Sequence, residues 1–391
     1  MNEPPLLNVC HISGDFPDPI KPEKTPALRR LVELTSAQFH HRVISINRTP
    51  PGSDPAQVPF EFGMAITYPA PSMGLFHAKM LNRLGNSIAT LAAGNGKPDL
   101  LVAHKLTIEG IAAFRAARLL DVPYALIVQG NTDCKILRAR PDLRPLFRRI
   151  YQGAAIVFHL APWSHDRAEG LLGARHLSSR LLPCPLADDT VIEPRPGGKG
   201  FLSVFNLDGY RNKNLPGLAN AMTILTSGEV EISCRIAGGG SPEALQACQA
   251  IARRTPGMEL LGHCGHESLP GLMNASTAMA LPSKRESFGL AYIEALMSGT
   301  PIIHPRGAAV AGYFDRCGFA LPVDPSDPRD IAGAMAHAIH NEVELKRELS
   351  VWQQGPDAQR FKRAQIGQEF ASGLRAAAAN GPGLAQPAVQ R

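Results

Sequence analysis

The chain has 391 residues, 44% hydrophobic and 19% charged, with 40 Lys and Arg against 34 Asp and Glu and a formal charge of +6. That length exceeds what one hydrophobic core usually serves, so two domains are expected; no run of about 18 apolar residues offers a membrane-spanning helix. The basic balance suits anionic partners, while the lack of zinc-finger spacing and of aromatic-basic interleaving argues against nucleic acid as one of them.

In chain order, Met1 to Pro5 is polar and proline-rich and lacks a basic n-region, so no signal peptide is expected. Short apolar runs at 8–12, 42–46, 99–103, 124–128 and 155–159 read as strands, with helical patterns at 25–38, 107–120 and 144–151 between them. Such alternation predicts a parallel sheet with crossover helices. The Pro- and Gly-rich segment 184–200 breaks the rhythm and is the expected linker after an N-terminal domain of residues 1–183. Strands resume at 201–205, 232–237, 258–261, 278–282, 301–304 and 319–322, which outlines a second doubly wound domain over 201–356. An Ala-rich helix is expected over 357–379, packing back on the N-terminal domain, followed by a disordered tail over 380–391.

Seven scattered cysteines, with no Cys-x-x-Cys pair, fit reduced thiols in a cytoplasm. The cluster His263-Cys264-Gly265-His266 lacks a fourth ligand and regular spacing, so it reads as an ordinary loop and no metal site is expected.

Residues 278–303 carry the chemistry. A strand ends at Pro282, a loop follows, and a helix is expected from about Phe288 to Ser298, with Gly299 as its left-handed cap. The amides near Ser287 to Leu290 then form a helix N-terminus suited to diphosphate or sugar oxygens. Glu286 stands before that helix and Glu294 inside it, where a carboxylate either caps the helix or accepts sugar hydroxyls.

The run Pro282-Ser283-x-x-Glu286-Ser287-Phe288-Gly289-Leu290, then Glu294-Ala295 and Gly299-x-Pro301, resembles the Glu-x7-Glu signature of family 4 glycosyltransferases, the glycosyl transferases group 1. Gly238-Gly239-Gly240, Leu261-Gly262-His263 and Lys213-Asn214 resemble the family's preceding pieces in order and spacing. The resemblance covers roughly residues 200–325 and implies an α/β GT-B architecture, two Rossmann-like domains facing across a cleft. It implies a retaining transfer of a hexose from a nucleoside diphosphate sugar to a glycan or lipid-linked acceptor in cell-surface polysaccharide synthesis, without a metal or other cofactor.

By the same resemblance Lys213 neutralises the donor diphosphate, with Arg211 standing in for an arginine that the family places where Asn206 lies. Glu286 and the amides of Phe288 and Gly289 hold the donor sugar, Leu290 and Ala291 face phosphate, Glu294 binds the ribose, and His263 lies near the base. The loop Arg306-Gly307-Ala308-Ala309-Val310 lacks the family's glutamate. In the first domain Gly14, Lys21 and Lys24 are cleft-facing candidates. Gln129 and Gly130 fall where relatives place a substrate-orienting histidine, and His104 ends another strand. A sugar-nucleotide epimerase of the same fold and a non-catalytic nucleotide-sugar binder stay open as alternatives.

Two basic stretches, 73–84 with Phe76, Met80 and Leu84 in a stripe beside Lys79 and Arg83, and 135–149 with Arg138, Arg140, Arg144, Arg148 and Arg149, suit an anionic bilayer surface at the inner face of a membrane.

Overall fold

The computed structural model describes residues 6–71, 74–94, 96–226 and 232–381. The chain divides into two compact units, Met1–Pro185 together with Arg363–Arg391, and Leu186–Lys362.

The first unit comprises β1 (Leu7–Ser13), α1 (Ala27–Glu33), β2 (Phe39–Thr49), β3 (Gln57–Phe60), β4 (Gly63–Pro69), α2 (His77–Ala93), β5 (Leu100–Ala103), α3 (Glu109–Leu120), β6 (Tyr124–Val128), α4 (Asn131–Ala139), α5 (Arg144–Gly153), β7 (Ile156–His159), α6 (Pro162–Leu172) and β8 (Ser179–Leu181). Its sheet runs β3-β4-β2-β1-β5-β6-β7-β8. Only the edge pair β3–β4 is antiparallel. Strands β5, β6 and β7 are buried at every residue. Near-continuous apolar runs of this kind are what a parallel strand covered on both faces requires.

The second unit comprises β9 (Phe201–Val204), α7 (Leu215–Leu225), β10 (Cys234–Ala237), α8 (Pro242–Ala252), β11 (Met258–Gly262), α9 (Leu269–Asn274), β12 (Ala278–Ala280), α10 (Leu290–Met297), β13 (Ile302–Pro305), β14 (Ala320–Val323), α11 (Pro328–His340), α12 (Glu342–Gln354) and α13 (Pro356–Gln359). Its sheet is wholly parallel in the order β11-β10-β9-β12-β13-β14. Counted within the unit this is the dinucleotide-fold order 3-2-1-4-5-6. The expected pair of doubly wound α/β domains is therefore borne out.

The last helix, α14 (Arg363–Ala379), belongs to the first unit. Its Ile366, Phe370 and Leu374 are buried, and the Phe370 ring meets Phe158 edge-on at 5.4 Å and His11 at 6.3 Å. The single helix expected over 357–379 is thus two pieces. Between them Phe361 drops into an aromatic cluster of the second unit, 5.5 Å from Phe314 and 5.1 Å from Tyr313.

The segment expected as a linker over 184–200 clusters, from Leu186 onward, with the second unit. Ile192 N donates to Met297 O at 2.8 Å, Lys199 N to Ala275 O at 2.9 Å and Lys346 Nζ to Arg195 O at 2.5 Å. Prolines spare this strap unmatched amides while it lies along the surface. Three strands, β3, β4 and β8, and helices α4 and α6 were not expected. The edge strands β3 and β8 are only partly buried, which leaves little periodic signal.

On α2 the stripe read as lipid-facing divides. Leu84 joins the core with Leu81 and Ile88, whereas Phe76, Lys79 and Arg83 are exposed. Met73 and residues 382–391 of the expected tail lie outside the described residues. Among the described residues no helix is long and apolar enough to cross a membrane.

Candidate donor site at the switch point of the second unit

In an open parallel sheet the loops after two adjacent strands diverge where the strand order reverses, and the crevice between them binds ligands. In the second unit that place lies between β9 and β12. The loop after β9 runs through Asn206 to Asn214, the loop after β12 through Leu281 to Gly289.

Backbone bonds shape the first loop. Leu207 N donates to Gly239 O at 2.8 Å, and Asn206 Oδ1 caps the turn by accepting Asp208 N at 2.9 Å. The Gly-rich turn after β10 lies flush against this loop, since a Cβ on Gly238 would stand 1.8 Å from Phe205 O. Asn214 closes the loop in the left-handed conformation, φ 63°, with its Nδ2 donating to Pro325 O at 2.7 Å.

The two loops are stitched together. Lys284 N donates to Asn212 O at 2.8 Å, and Asn212 Nδ2 to Arg285 O at 2.9 Å. This brings Lys213 Nζ into a charge-assisted hydrogen bond with Glu286 Oε2. The side chains keep 24% and 15% of their surface, enough to be reached by a ligand. Ala309 N, in the loop that lacks the family's glutamate, donates to Glu286 O at 3.3 Å and holds that carboxylate's backbone instead. Beneath them the Tyr292 hydroxyl donates to Leu281 O at 2.5 Å. Burial first, and then the Glu286 charge, push its pKa well above 10, so it is a fixed donor.

Helix α10 starts at Leu290 rather than Phe288, because Gly289 has φ 79° and cannot be helical. The amides of Leu290 and Ala291 therefore open the helix, and the positive end of its dipole points at the Lys213–Glu286 pair's loop. A Cβ at Gly289 would stand 2.4 Å from Tyr292 Cε2 and 3.1 Å from Glu286 Cγ. Gly289→Ala is accordingly expected to cost about 1–3 kcal/mol in stability and to weaken ligand binding at this loop, read by thermal melting and by titration calorimetry with nucleoside diphosphates.

The other candidates take distinct places. Ser287 is half-buried; the Phe288 ring is buried and stands edge-on to Tyr313 at 6.3 Å, so only its amide faces the loop. Glu294 is half-buried on α10. His263 is exposed, with its ring 3.6 Å from where a Gly239 Cβ would stand, which puts it beside the same loop cluster. Arg211 is exposed and folds onto Tyr210, its Nε donating to the hydroxyl at 2.9 Å. Among the described residues no group of three or more His, Cys, Asp or Glu is placed to hold a metal ion.

In the first unit the corresponding switch point lies between β1 and β5. Gly14 N donates to Glu109 Oε1 at 2.7 Å, and Gln129 Nε2 donates to Asp15 Oδ2 at 3.0 Å and to His104 O at 2.8 Å. Gly130, at φ 106°, packs against Trp163. His104 turns inward. Its Nε2 is 2.9 Å from His11 Nδ1, whose Nε2 is 2.9 Å from His41 Nδ1, which ends the chain on Thr35 Oγ1 at 2.8 Å through its Nε2. Burial lowers the pKa of His104 to about 3 and of His41 to about 4. The side chain of His104 thus serves the core and not the crevice. Lys24 likewise bonds Asp18 and Ser45, at 2.7 and 3.0 Å, whereas Lys21 in that loop is exposed.

Residues 198–341 match the family described as Glycosyl transferases group 1. The matched stretch lies wholly within the second unit. Within the curated proteins, the D-inositol 3-phosphate glycosyltransferase of Nocardioides sp. is 34% identical to this chain over 125 residues, 28% of this chain and 26% of that protein. The chain therefore matches about a quarter of the length of these relatives. The glycogen synthase of Mycobacterium tuberculosis is 24% identical over 369 residues, 84% of each protein. Among solved structures, the sucrose-phosphate synthase of Thermosynechococcus elongatus superposes with a TM-score of 0.71 at 17% identity, covering 96% of this chain and all of that one. At that identity the likeness is one of fold, the two-unit GT-B architecture.

Proposed function

We propose that the chain is a retaining glycosyltransferase of family 4 type that moves a hexose from a nucleoside diphosphate sugar to a glycan or lipid-linked acceptor in cell-surface polysaccharide synthesis. The Lys213–Glu286 pair beside the N-terminus of α10, inside the segment that matches the transferase family, carries the reading. Diphosphate oxygens take the amides of Leu290 and Ala291 and draw the Lys213 ammonium to themselves. Glu286 is then released to accept hydroxyls of the donor sugar, with the amides of Phe288 and Gly289 beside it. Glu294 binds the ribose, His263 flanks the base, and Arg211 swings from Tyr210 to the phosphate in place of the family's arginine.

The bond from the anomeric carbon to the diphosphate oxygen breaks while the acceptor oxygen bonds on the same face of the ring. The acceptor's proton goes to the departing phosphate oxygen. Lys213 and the helix amides stabilise the charge that grows on that group, and this is where most of the catalysis arises. No side-chain base and no metal enters these steps. In the first unit Gln129 orients substrate by hydrogen bonds and carries no proton.

A screen of UDP- and GDP-sugars with mixed glycan acceptors tests the reading. Release of nucleoside diphosphate from one donor, with retained anomeric configuration in the product by NMR, is the expected result. Interconversion of free sugar nucleotides would mean an epimerase, and binding without turnover a non-catalytic homologue.

The surface reading rests on Leu75 and Phe76, which are 61% and 67% exposed at the start of α2. Lys79, Arg83, Lys135 and Arg138 are exposed on α2 and α4. Such a tip inserts at an anionic bilayer surface while the cations bind headgroups. Phe76→Ser is expected to lower co-sedimentation with phosphatidylglycerol vesicles several-fold and to leave donor turnover in solution unchanged.

A further inference from the structure

The switch point of the first unit holds a charged cluster of which the transfer chemistry above uses Gln129 alone. Three strand ends converge there: β1 delivers Asp15, β5 delivers Lys105 and β6 delivers Gln129. Lys105 Nζ lies 2.6 Å from Asp15 Oδ2 and 3.7 Å from Glu109 Oε1. Gln129 clamps the same Asp15 oxygen at 3.0 Å. Asp15 keeps 30% of its side-chain surface and Lys105 10%, whereas Glu109 keeps 1%. Glu109 Oε1 takes the Gly14 amide, and its Oε2 is buried with no hydrogen-bond partner among the described residues.

This is a built polar site in the crevice where open sheets take their ligands. Its charge sets what it accepts. The one buried cation, Lys105, is outnumbered by Asp15 and Glu109. Of the cations on the flanking elements, Lys24 is committed to Asp18, Arg140 to Asp142 and Arg48 to the carbonyls of Ala70 and Pro71, while Lys21 is exposed to solvent. His77 bonds Thr107 O at 2.8 Å, and burial lowers its pKa, which favours the neutral ring. A phosphate ester needs an uncompensated ammonium or guanidinium, and would here lie against the Asp15 carboxylate. A hydroxyl needs the opposite: an acceptor for its proton, which Asp15 supplies, and a donor for its lone pair, which the remaining N–H groups of Lys105 supply.

We propose that Asp15, Lys105 and Gln129 form the acceptor subsite of the transferase read above, and that it receives an uncharged sugar or polyol rather than a phosphorylated one. The proposal rests on that reading for the word acceptor; the site and its preference stand on the cluster itself. Glu109 is a positioning residue that sets Gly14 and the Lys105 ammonium.

Calorimetric titration of the full chain, without donor, with glucose, mannose, myo-inositol and glycerol and with their phosphate monoesters tests it. At least one parent compound is expected to bind ten-fold or more tightly than its own ester. Asp15→Asn, which keeps the side chain's shape, should lose that binding by ten-fold or more and gain ten-fold or more for the ester, because the ester then meets the Lys105 ammonium without the Asp15 carboxylate beside it. A gain of ester binding cannot come from misfolding. Asp15→Glu should keep the preference for the uncharged compound. Esters binding the wild type more tightly than their parents, no parent binding at all, or an Asp15→Asn protein with unchanged preference would each overturn the proposal. Failure of the transferase reading shows separately, as absence of donor turnover in the same preparations.

Discussion

Lys213→Ala should lower turnover of the preferred nucleoside diphosphate sugar by about 10²–10³-fold, roughly 3–4 kcal/mol of transition-state stabilisation. In the free protein Lys213 is paired with Glu286 at a half-open crevice, so the pair itself adds little to stability and the variant should melt within a few degrees of wild type. The ammonium matters where charge grows on the departing diphosphate, and the loss should therefore fall on kcat more than on KM. Glu286→Gln should act differently. It removes the anion that receives sugar hydroxyls but leaves an amide of the same shape, so kcat/KM should fall by about 10–100-fold with a larger share in KM. Steady-state kinetics on the donor found by the screen read both. A Lys213→Ala enzyme within two-fold of wild type would remove the pair from the mechanism.

Lowering the pH to about 5 should destabilise the first unit far more than the second. Burial, the first cause in each case, lowers the pKa of His104 and His159 to about 3, of His41 and His304 to about 4, and of His11 well below its ordinary 6.5. These rings are neutral in the folded chain, while the unfolded chain binds protons on them below 6.5. The unfolded state therefore binds more protons in that window, and stability is full above 6.5 and falls as the pH drops toward the folded values. At pH 5 each of the rings at about 3 or about 4, His41, His104, His159 and His304, contributes a loss of about 2 kcal/mol. Four of the five belong to the first unit and only His304 to the second.

His41, His104 and His159 alone amount to about 6 kcal/mol, a large part of a domain's usual stability. Glu109 and Asp133 have the opposite sign. Burial raises their pKa, so the folded state takes protons first as pH falls and part of the loss is offset. Scanning calorimetry at pH 7.5 and 5.0 should resolve two transitions, the one from the first unit dropping by more than about 10 °C. Two transitions that move together would show that the buried rings do not control acid lability.

The fold was legible because parallel strands must be apolar along their whole length. Every predicted strand in the second half has its counterpart within a few residues, from Phe201–Val204 to Ala320–Val323. The edge strands were not legible: Gln57–Phe60 is partly exposed throughout and interrupted by Pro59. The loop proposed to bind the donor stood out in the sequence because Glu286, Gly289 and Glu294 lie in one continuous run, whereas the pairing of Lys213 with Glu286 joins residues 73 apart and needs the adjacency of β9 and β12. Lys105 and Glu109 carried no comparable signal. A lysine and a glutamate one helical turn apart ordinarily mark a solvated face, and only the sheet order shows that this turn ends at a crevice. His104 misled for the same reason in reverse, because a polar residue after an apolar strand reads as ligand-facing when it serves a buried histidine chain.

The return of α14 to the first unit sets an order on the chain's birth at the ribosome. Phe158 and His11 emerge early, yet the helix that covers them comes only after the whole of the second unit has been made. At 5–20 residues per second that is a wait of roughly ten seconds or more, during which the second unit can fold and the sheet of the first lies open on one side. Translation that stops short of Arg363 would leave a finished domain tethered to an adhesive one, and the partial product would be drawn into aggregates by the very face that Phe370 was to close.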